Sequence, residues 1–281
     1  MEEEKELVGI TLYNPQIDRF RENIIKIINQ VDKVLLINNN SNNIEDILKL
    51  INDINNEGKI EIINNSDNLG VAAALNQILD YAYVNKYEWF LTLDQDSVCK
   101  ENLIEQYKQY KRLSNIAMMT CIIKDRNYGI IDKVENDYNY IESCITSGTY
   151  NNTKILKNLG GFDESFFIDY VDYDMCETIL ENGYNIIRIN FEGLLHEVGK
   201  TKVYTLFGKK EYIYNQPPFR TYYLIRNFIL INKKHKRFNT LKNKLRVIKR
   251  EILIMLFQKN KIKNLRAIIK ANEDAMKMLK G

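Results

Sequence analysis

Four short apolar runs alternate with three helical patterns in the first hundred residues, and this rhythm limits the possible folds more than any other feature. The runs are LVGITLY (7–13), KVLLIN (33–38), KIEIIN (59–64) and WFLTLD (89–94), with helical spacing near 17–30, 44–56 and 71–85. Strands joined by helices pair in parallel through right-handed crossovers. The expected fold class is therefore α/β, with a doubly wound, mainly parallel sheet that binds ligands at the carboxyl ends of its strands. Those ends are polar: Tyr13-Asn14-Pro15, Asn38-Asn39-Asn40-Ser41, Asn64-Asn65-Ser66-Asp67 and Asp94-Gln95-Asp96 are predicted to line one crevice.

Beyond residue 100 the pattern predicts a helix near 100–113, a strand at 116–123, antiparallel additions over 128–147, a helix near 172–182 and a strand at 185–190. A chain of 281 residues lies near the upper limit for a single core. One large domain over 1–230 with an appendage at 231–281 is the expected organisation. The appendage carries Leu241, Leu245, Ile248, Ile252 and Leu256, then Ile262, Leu265, Ile269, Met276 and Leu279, largely at helical spacing with Lys and Arg between them. It reads as a basic amphipathic helical pair.

Charge is divided just as sharply. Residues 231–281 hold 16 Lys/Arg and 3 Asp/Glu, leaving 24 and 34 for residues 1–230, so a net charge of +3 conceals about +13 against −10. The basic region calls for an anionic partner. An anionic membrane surface is the expected one, and packing on the domain or pairing with a second copy is the alternative; with no recognition motif and an acidic remainder, nucleic acid is not expected. No apolar run approaches the roughly 18 residues that span a bilayer. The acidic opening MEEEKELVGI lacks the basic and then apolar segments of a secretory leader, so the expected location is cytoplasmic, peripheral at the inner face of the membrane. Cys99, Cys121, Cys144 and Cys176 form no CxxC pair, and His196 and His235 are the only histidines, which points to reduced thiols without a zinc site.

Asp94-Gln95-Asp96 is the sharpest local feature. Alternate residues of an extended chain point the same way, so two carboxylates after an apolar strand can converge on a hard cation, Mn²⁺ or Mg²⁺. Such a cation neutralises charge on a departing diphosphate. Ordinary solvated loop acids are the alternative. Trp89, which begins the same strand, reads as core.

ITLYNP (10–15), LLINNNS (35–41), NLGVAAALNQ (68–77), WFLTLDQDS (89–97), TSGTYNN (146–152), GGFDESFFIDYVDYDMC (160–176) and LLHEVG (194–199) occur in one order. In these segments the chain resembles the family 2 inverting glycosyltransferases of the GT-A nucleotide-diphospho-sugar transferase fold, most of all the bacterial rhamnosyltransferases. The resemblance covers roughly residues 7–230. It implies that Thr11, Tyr13 and Asn14 contact the nucleoside, with Asn38 at the base edge where many members carry Asp. Capping of strand ends would explain Thr11 and Asn38 equally. It further implies Asn68, Gly70 and Asn76 as donor contacts, Asp94 and Asp96 at the metal, His196 at the metal or diphosphate, and Gly148 where substrate approaches the backbone.

Inverting transfer needs a carboxylate to take the acceptor's proton. By the family pattern Asp172 matches that base, with Val171 where many members have Glu, and Asp169 is the second choice, orienting the acceptor. Acids at a helix start also suit its dipole. Arg220, Tyr222, Arg226 and Asn227 could reach phosphates or acceptor, or form an ordinary surface helix. The implied donor is a nucleoside-diphosphate sugar, dTDP-L-rhamnose favoured over UDP-hexoses, and the implied acceptor a glycan or lipid-linked saccharide of a surface polysaccharide. The rival outside enzymes is a nucleotide-binding scaffold.

Overall fold

The computed structural model describes residues 4–54, 58–127, 129–130, 132–197, 201–206, 209–214, 216–236 and 240–279. Residues 55–56 of the expected second helix, 128 and 131 of the expected antiparallel segments, and 198–199 of LLHEVG lie outside them. In chain order the elements begin β1 (Leu7–Leu12), α1 (Ile17–Ile27), β2 (Lys33–Asn38), α2 (Ile44–Ile54), β3 (Ile60–Asn64), α3 (Val71–Val84), β4 (Trp89–Asp94), β5 (Val98–Cys99) and α4 (Leu103–Lys108). They continue with β6 (Ile116–Asp125), β7 (Gly129–Ile130), β8 (Tyr138–Ile141), β9 (Thr149–Asn152), α5 (Thr153–Asn158), α6 (Val171–Glu181) and β10 (Asn185–His196). Last come β11 (Thr201–Leu206), β12 (Lys209–Tyr214), α7 (Pro218–Lys234), α8 (Leu241–Phe257) and α9 (Lys261–Met278).

Among the described residues ten strands form one sheet, ordered β3-β2-β1-β4-β9-β6-β10-β5, with β7 on β6 and β8 on β10. The stretch β3-β2-β1-β4 is parallel throughout, as the βαβ rhythm predicts. Its inner strands are buried along nearly their whole length, because helices cover both faces of a parallel sheet; β3, at the edge, is only half-buried. The order reverses between β1 and β4. That reversal sets the crevice at their carboxyl ends, beside Tyr13 and Asp94.

Gly9 shows how closely α3 lies on β1: a Cβ there would stand 2.3 Å from Ile78 Cγ2. Gly9→Ala should therefore overpack the core and cost about 1–3 kcal/mol, read as a lower urea midpoint with an unchanged slope. Trp89 is 2% exposed, stacked on Tyr150, which in turn stacks on Tyr107, both pairs with ring centroids 5.3 Å apart. The core reading of Trp89 holds.

Other expectations shift. The helix foreseen over 100–113 contracts to the six residues of α4, with turns on either side of it, and residues 98–99 before it form β5, antiparallel to β10. The strand foreseen at 185–190 runs on to His196, passing register shifts between Arg188 and Leu194 where it follows β6. The four cysteines are buried free thiols, with Cys144 Sγ 4.0 Å from Cys176 Sγ.

The chain divides into two compact units, Met1–Ser165 with Met175–Glu197, and Phe166–Asp174 with Val198–Gly281. The boundary foreseen at residue 230 falls inside α7 of the second unit. That unit holds the β11–β12 hairpin and α7, α8 and α9, and the three helices share a small core of Leu224, Ile225, Ile254, Ile268 and Ala271.

Candidate metal and donor site

Three side chains at the carboxyl edge of the sheet offer ligand atoms that all lie within 4.8 Å of one another: Asp94, Asp96 and His196, each half-buried. Two carboxylates and an imidazole at that spacing fit a divalent cation. The main chain turns after β4, with Ser97 N donating to Asp94 O, and this brings the Asp96 carboxylate back toward that of Asp94. Asn23 Nδ2 of α1 donates to the same carbonyl at 2.7 Å.

A hydroxyl chain supports this group. Asp94 N donates to Ser147 Oγ at 3.0 Å, Ser147 Oγ donates to Ser97 Oγ at 2.8 Å, and Ser97 Oγ lies 2.9 Å from His196 Nδ1. Ser97 and Ser147 are fully buried, and a fixed partner on one ring nitrogen is what orients a ligating imidazole. Neither serine is distinctive in sequence, since their pairing depends on a contact across 50 residues. Arg19 is a further residue that the sequence reading passed over. It pairs with Glu197, and this bond, aided by the field of Asp96, raises the guanidinium above its ordinary value.

The ends of β1 and β2 meet the same crevice. Register places Thr11 beside Ile37 of β2 and Asp94 of β4. Tyr13 is 49% exposed, and its backbone is clamped by Gln95, which accepts from Tyr13 N at 2.8 Å and donates to Tyr13 O at 3.3 Å. Asn14 adopts φ 49, donates its N–H to Ser41 Oγ and accepts from Asn42 N at 2.7 Å. Asn38 is buried. Its amide donates to Asn64 Oδ1 at 2.9 Å and accepts from Ser41 N at 3.1 Å, so a base edge would compete with bonds that brace β2 against β3.

The other expected donor contacts hold the scaffold in the same way. Asn68 Oδ1 accepts from Gly70 N at 3.0 Å, and Gly70, at φ 89, turns the chain into α3. Asn76 donates to Phe162 O and Glu164 Oε1 and accepts from Phe162 N, each at 2.8 Å, stapling α3 to the loop after Gly161. At Gly148, φ 75, the close neighbour is protein: a Cβ would stand 2.8 Å from Leu194 Cδ2.

In the second unit, the acids of FFIDYVDYD have distinct partners. Asp169 receives a two-pronged bond from Arg220, Nε to Oδ2 at 3.0 Å and Nη2 to Oδ1 at 2.5 Å. Asp174, 3% exposed, takes Lys234 Nζ and His235 Nε2, each at 2.9 Å. Asp172 is half-buried in the first turn of α6, its Oδ1 accepting from Tyr173 N. The loop before it is wound tightly, with Phe167, Asp169 and Tyr170 all at positive φ. Asn227 Nδ2 holds it there by donating to the carbonyls of Phe166, Ile168 and Asp169 at 2.6 to 2.9 Å. Arg226 stacks over Tyr223 and Tyr222, 4.7 and 5.5 Å from their centroids.

Comparison with known proteins agrees with this architecture. The model of glycosyl transferase family 2 matches residues 7–168, more than half of the chain. The dTDP-rhamnosyl transferase RfbF of Shigella flexneri is 27% identical over 291 residues, which cover 97% of this chain and 95% of that protein. Among solved structures, S. aureus TarS superposes with a TM-score of 0.61 at 14% identity, covering 97% of this chain and 49% of TarS. GalNAc-T7, solved with UDP, GalNAc and Mn²⁺, gives a TM-score of 0.59 at 13% identity, covering 82% of this chain and 48% of its own. The chain thus spans about half the length of these two structures, and at such identities the likeness concerns fold. With the crevice at the β1–β4 reversal, the acidic pair after β4 and a family match that runs from β1 to Ile168, the chain belongs to glycosyl transferase family 2 and is a glycosyltransferase of the GT-A fold.

Proposed function

We propose that this glycosyltransferase transfers L-rhamnose from dTDP-L-rhamnose, with inversion, to a hydroxyl of a glycan acceptor, a lipid-linked precursor of a surface polysaccharide. The observation that carries the donor is the alignment with a dTDP-rhamnosyl transferase along almost the full length of both proteins. Asp94, Asp96 and His196 would hold a divalent cation, Mn²⁺ or Mg²⁺, whose charge offsets that of the leaving diphosphate. Ser97 and Ser147 keep the imidazole oriented, and Arg19 adds a cation near Asp96. Thr11, Tyr13 and Asn14 receive the nucleoside at the end of β1. Asp172 takes the proton of the acceptor hydroxyl. Asp169, fixed by Arg220, positions the loop that carries Asp172. The reaction runs on the cytoplasmic side of the membrane.

Calorimetry with dTDP-rhamnose, UDP-galactose and UDP-glucose, each with and without Mn²⁺, tests the donor. Metal-dependent binding that favours dTDP-rhamnose by at least about tenfold is expected, a difference of about 1.4 kcal/mol. A preference for either UDP-hexose would reassign the donor while keeping the chemistry. Absence of metal-dependent binding to all three would remove the transfer mechanism drawn here.

A further inference from the structure

The two C-terminal helices bury the wrong face for their apolar stripes to be core. On α8 the buried positions are Asn243 and Ile254, whereas Leu241, Leu245, Ile248, Ile252 and Leu256 are 52–74% exposed. At about 100° per residue those five fall within an arc of about 80°, on the side of the helix opposite Ile254. On α9 the buried positions are Asn264, Ile268, Ala271 and Ala275, while Ile262, Leu265, Ile269, Met276 and Leu279 are exposed. Small Ala271 and Ala275 lie on the packed side, and Ile268 joins Leu224 and Ile225 of α7 in the core of the unit. Water therefore meets a row of large apolar side chains along each helix. Isolated exposed apolar residues are ordinary, but a contiguous row marks an interaction surface.

We infer that the outward faces of α8 and α9 are a docking surface for an anionic lipid bilayer. Charge selects this occupant. Residues 241–281 carry 12 Lys/Arg and 3 Asp/Glu, a surplus of 9. By helical position, Lys242, Lys249 and Arg246 flank the α8 stripe on one side and Lys244 on the other; Arg266 and Lys277 flank that of α9, while Lys270 Nζ lies over the Tyr222 ring of α7 at 5.8 Å. Apolar side chains enter the acyl boundary while flanking cations meet lipid headgroups, as in a helix that lies in the interface plane. A second copy placed on the same faces would oppose two surpluses of positive charge. No helix among the described residues is long and apolar enough to cross a membrane, so the contact is with the surface. The inference is independent of the donor sugar and adds the place where the acceptor is met.

Vesicle co-sedimentation of the full chain tests it, using phosphatidylcholine alone and phosphatidylcholine with about one-third phosphatidylglycerol. The chain should pellet with the mixed vesicles and not with the neutral ones, and should be released as salt rises. Leu245→Glu/Ile252→Glu should weaken this partition by at least about tenfold, and Lys242→Glu/Lys249→Glu by a similar factor, since each cation at the surface contributes on the order of fivefold. Both variants alter exposed side chains, so helical circular dichroism and nucleotide binding, measured on the same samples, should match the parent. Equal pelleting of parent and Leu245→Glu/Ile252→Glu would overturn the inference, as would equal binding to neutral vesicles. A parent that ignores vesicles but sediments as a dimer, and becomes monomeric in the same variant, would assign the face to a second copy instead.

Discussion

Asp172→Asn is expected to lower the turnover of sugar transfer by about 10² to 10⁴ while leaving donor and metal binding near parental values. The amide keeps the shape of the carboxylate and loses the proton acceptor. Its neighbours cannot take over. Asp169 already accepts both prongs of Arg220, and Asp174 is buried against Lys234 and His235. The tight loop at 166–170 is pinned by three bonds from Asn227, so the register of the three acids is fixed. Single-turnover transfer, with calorimetry on the same protein, checks this. Near-parental turnover would remove Asp172 from the role. If Asp169→Asn instead abolished turnover without lowering stability, the base would move to Asp169.

Asp96→Asn should fail in a different manner. Here the expected loss in kcat/KM is about 10² to 10³, accompanied by weaker metal-dependent nucleotide binding and partial recovery at high Mn²⁺. A neutral carboxamide oxygen is a poorer donor to a hard cation than a carboxylate, and Asp96 is one of three groups whose atoms converge within 4.8 Å. Titrating Mn²⁺ against activity for the parent and for Asp96→Asn is the measurement. An unchanged metal dependence would exclude Asp96 from the cation site. Since Asp172→Asn is expected to spare metal binding and Asp96→Asn to weaken it, the pair separates loss of the base from loss of the metal.

The docking face returns to a pattern visible in the chain but not decided by it. Ten apolar positions at helical spacing are compatible with a buried stripe or an outward one. The structure turns all ten outward because Ile254, Ile268, Ala271 and Ala275 already fill the contact of α8 and α9 with α7. A sequence shows where apolar side chains recur along a helix; which recurrence faces the core depends on what the neighbouring helices offer.

The parallel half of the sheet was legible because period and strand length are local properties, and crossover handedness then leaves few ways to join the pieces. β1 to β4 and α1 to α3 accordingly stand close to where the apolar runs place them. The acidic pair Asp94 and Asp96 was legible as a pattern after a buried strand, but its geometry was not: only Asp94 lies in β4, and a turn closed by Ser97 N to Asp94 O, not extended alternation, brings the Asp96 carboxylate near it. Nor was the role of an amide legible. Asn38, Asn68 and Asn76 stand in segments that resemble donor-binding motifs, and the structure gives each a scaffold bond that the sequence does not show, with partners Asn64, Gly70 and Phe162 up to 86 residues away. Amides both donate and accept, so composition leaves their partners open. Ser97, Ser147 and Arg19 were missed because their meaning lies in what they touch. By itself, the sequence determined the alternation of strands and helices from β1 to β4, the acidic end of β4 and the basic character of the last helices, since these follow from local periodicity and charge, whereas β5, α5 and the β11–β12 hairpin were not foreseen. Tertiary structure alone decided that His196 meets the two aspartates, that Asp169 and Asp174 are bound by partners on α7, and that the apolar stripes face outward, because each depends on contacts between residues distant in the chain.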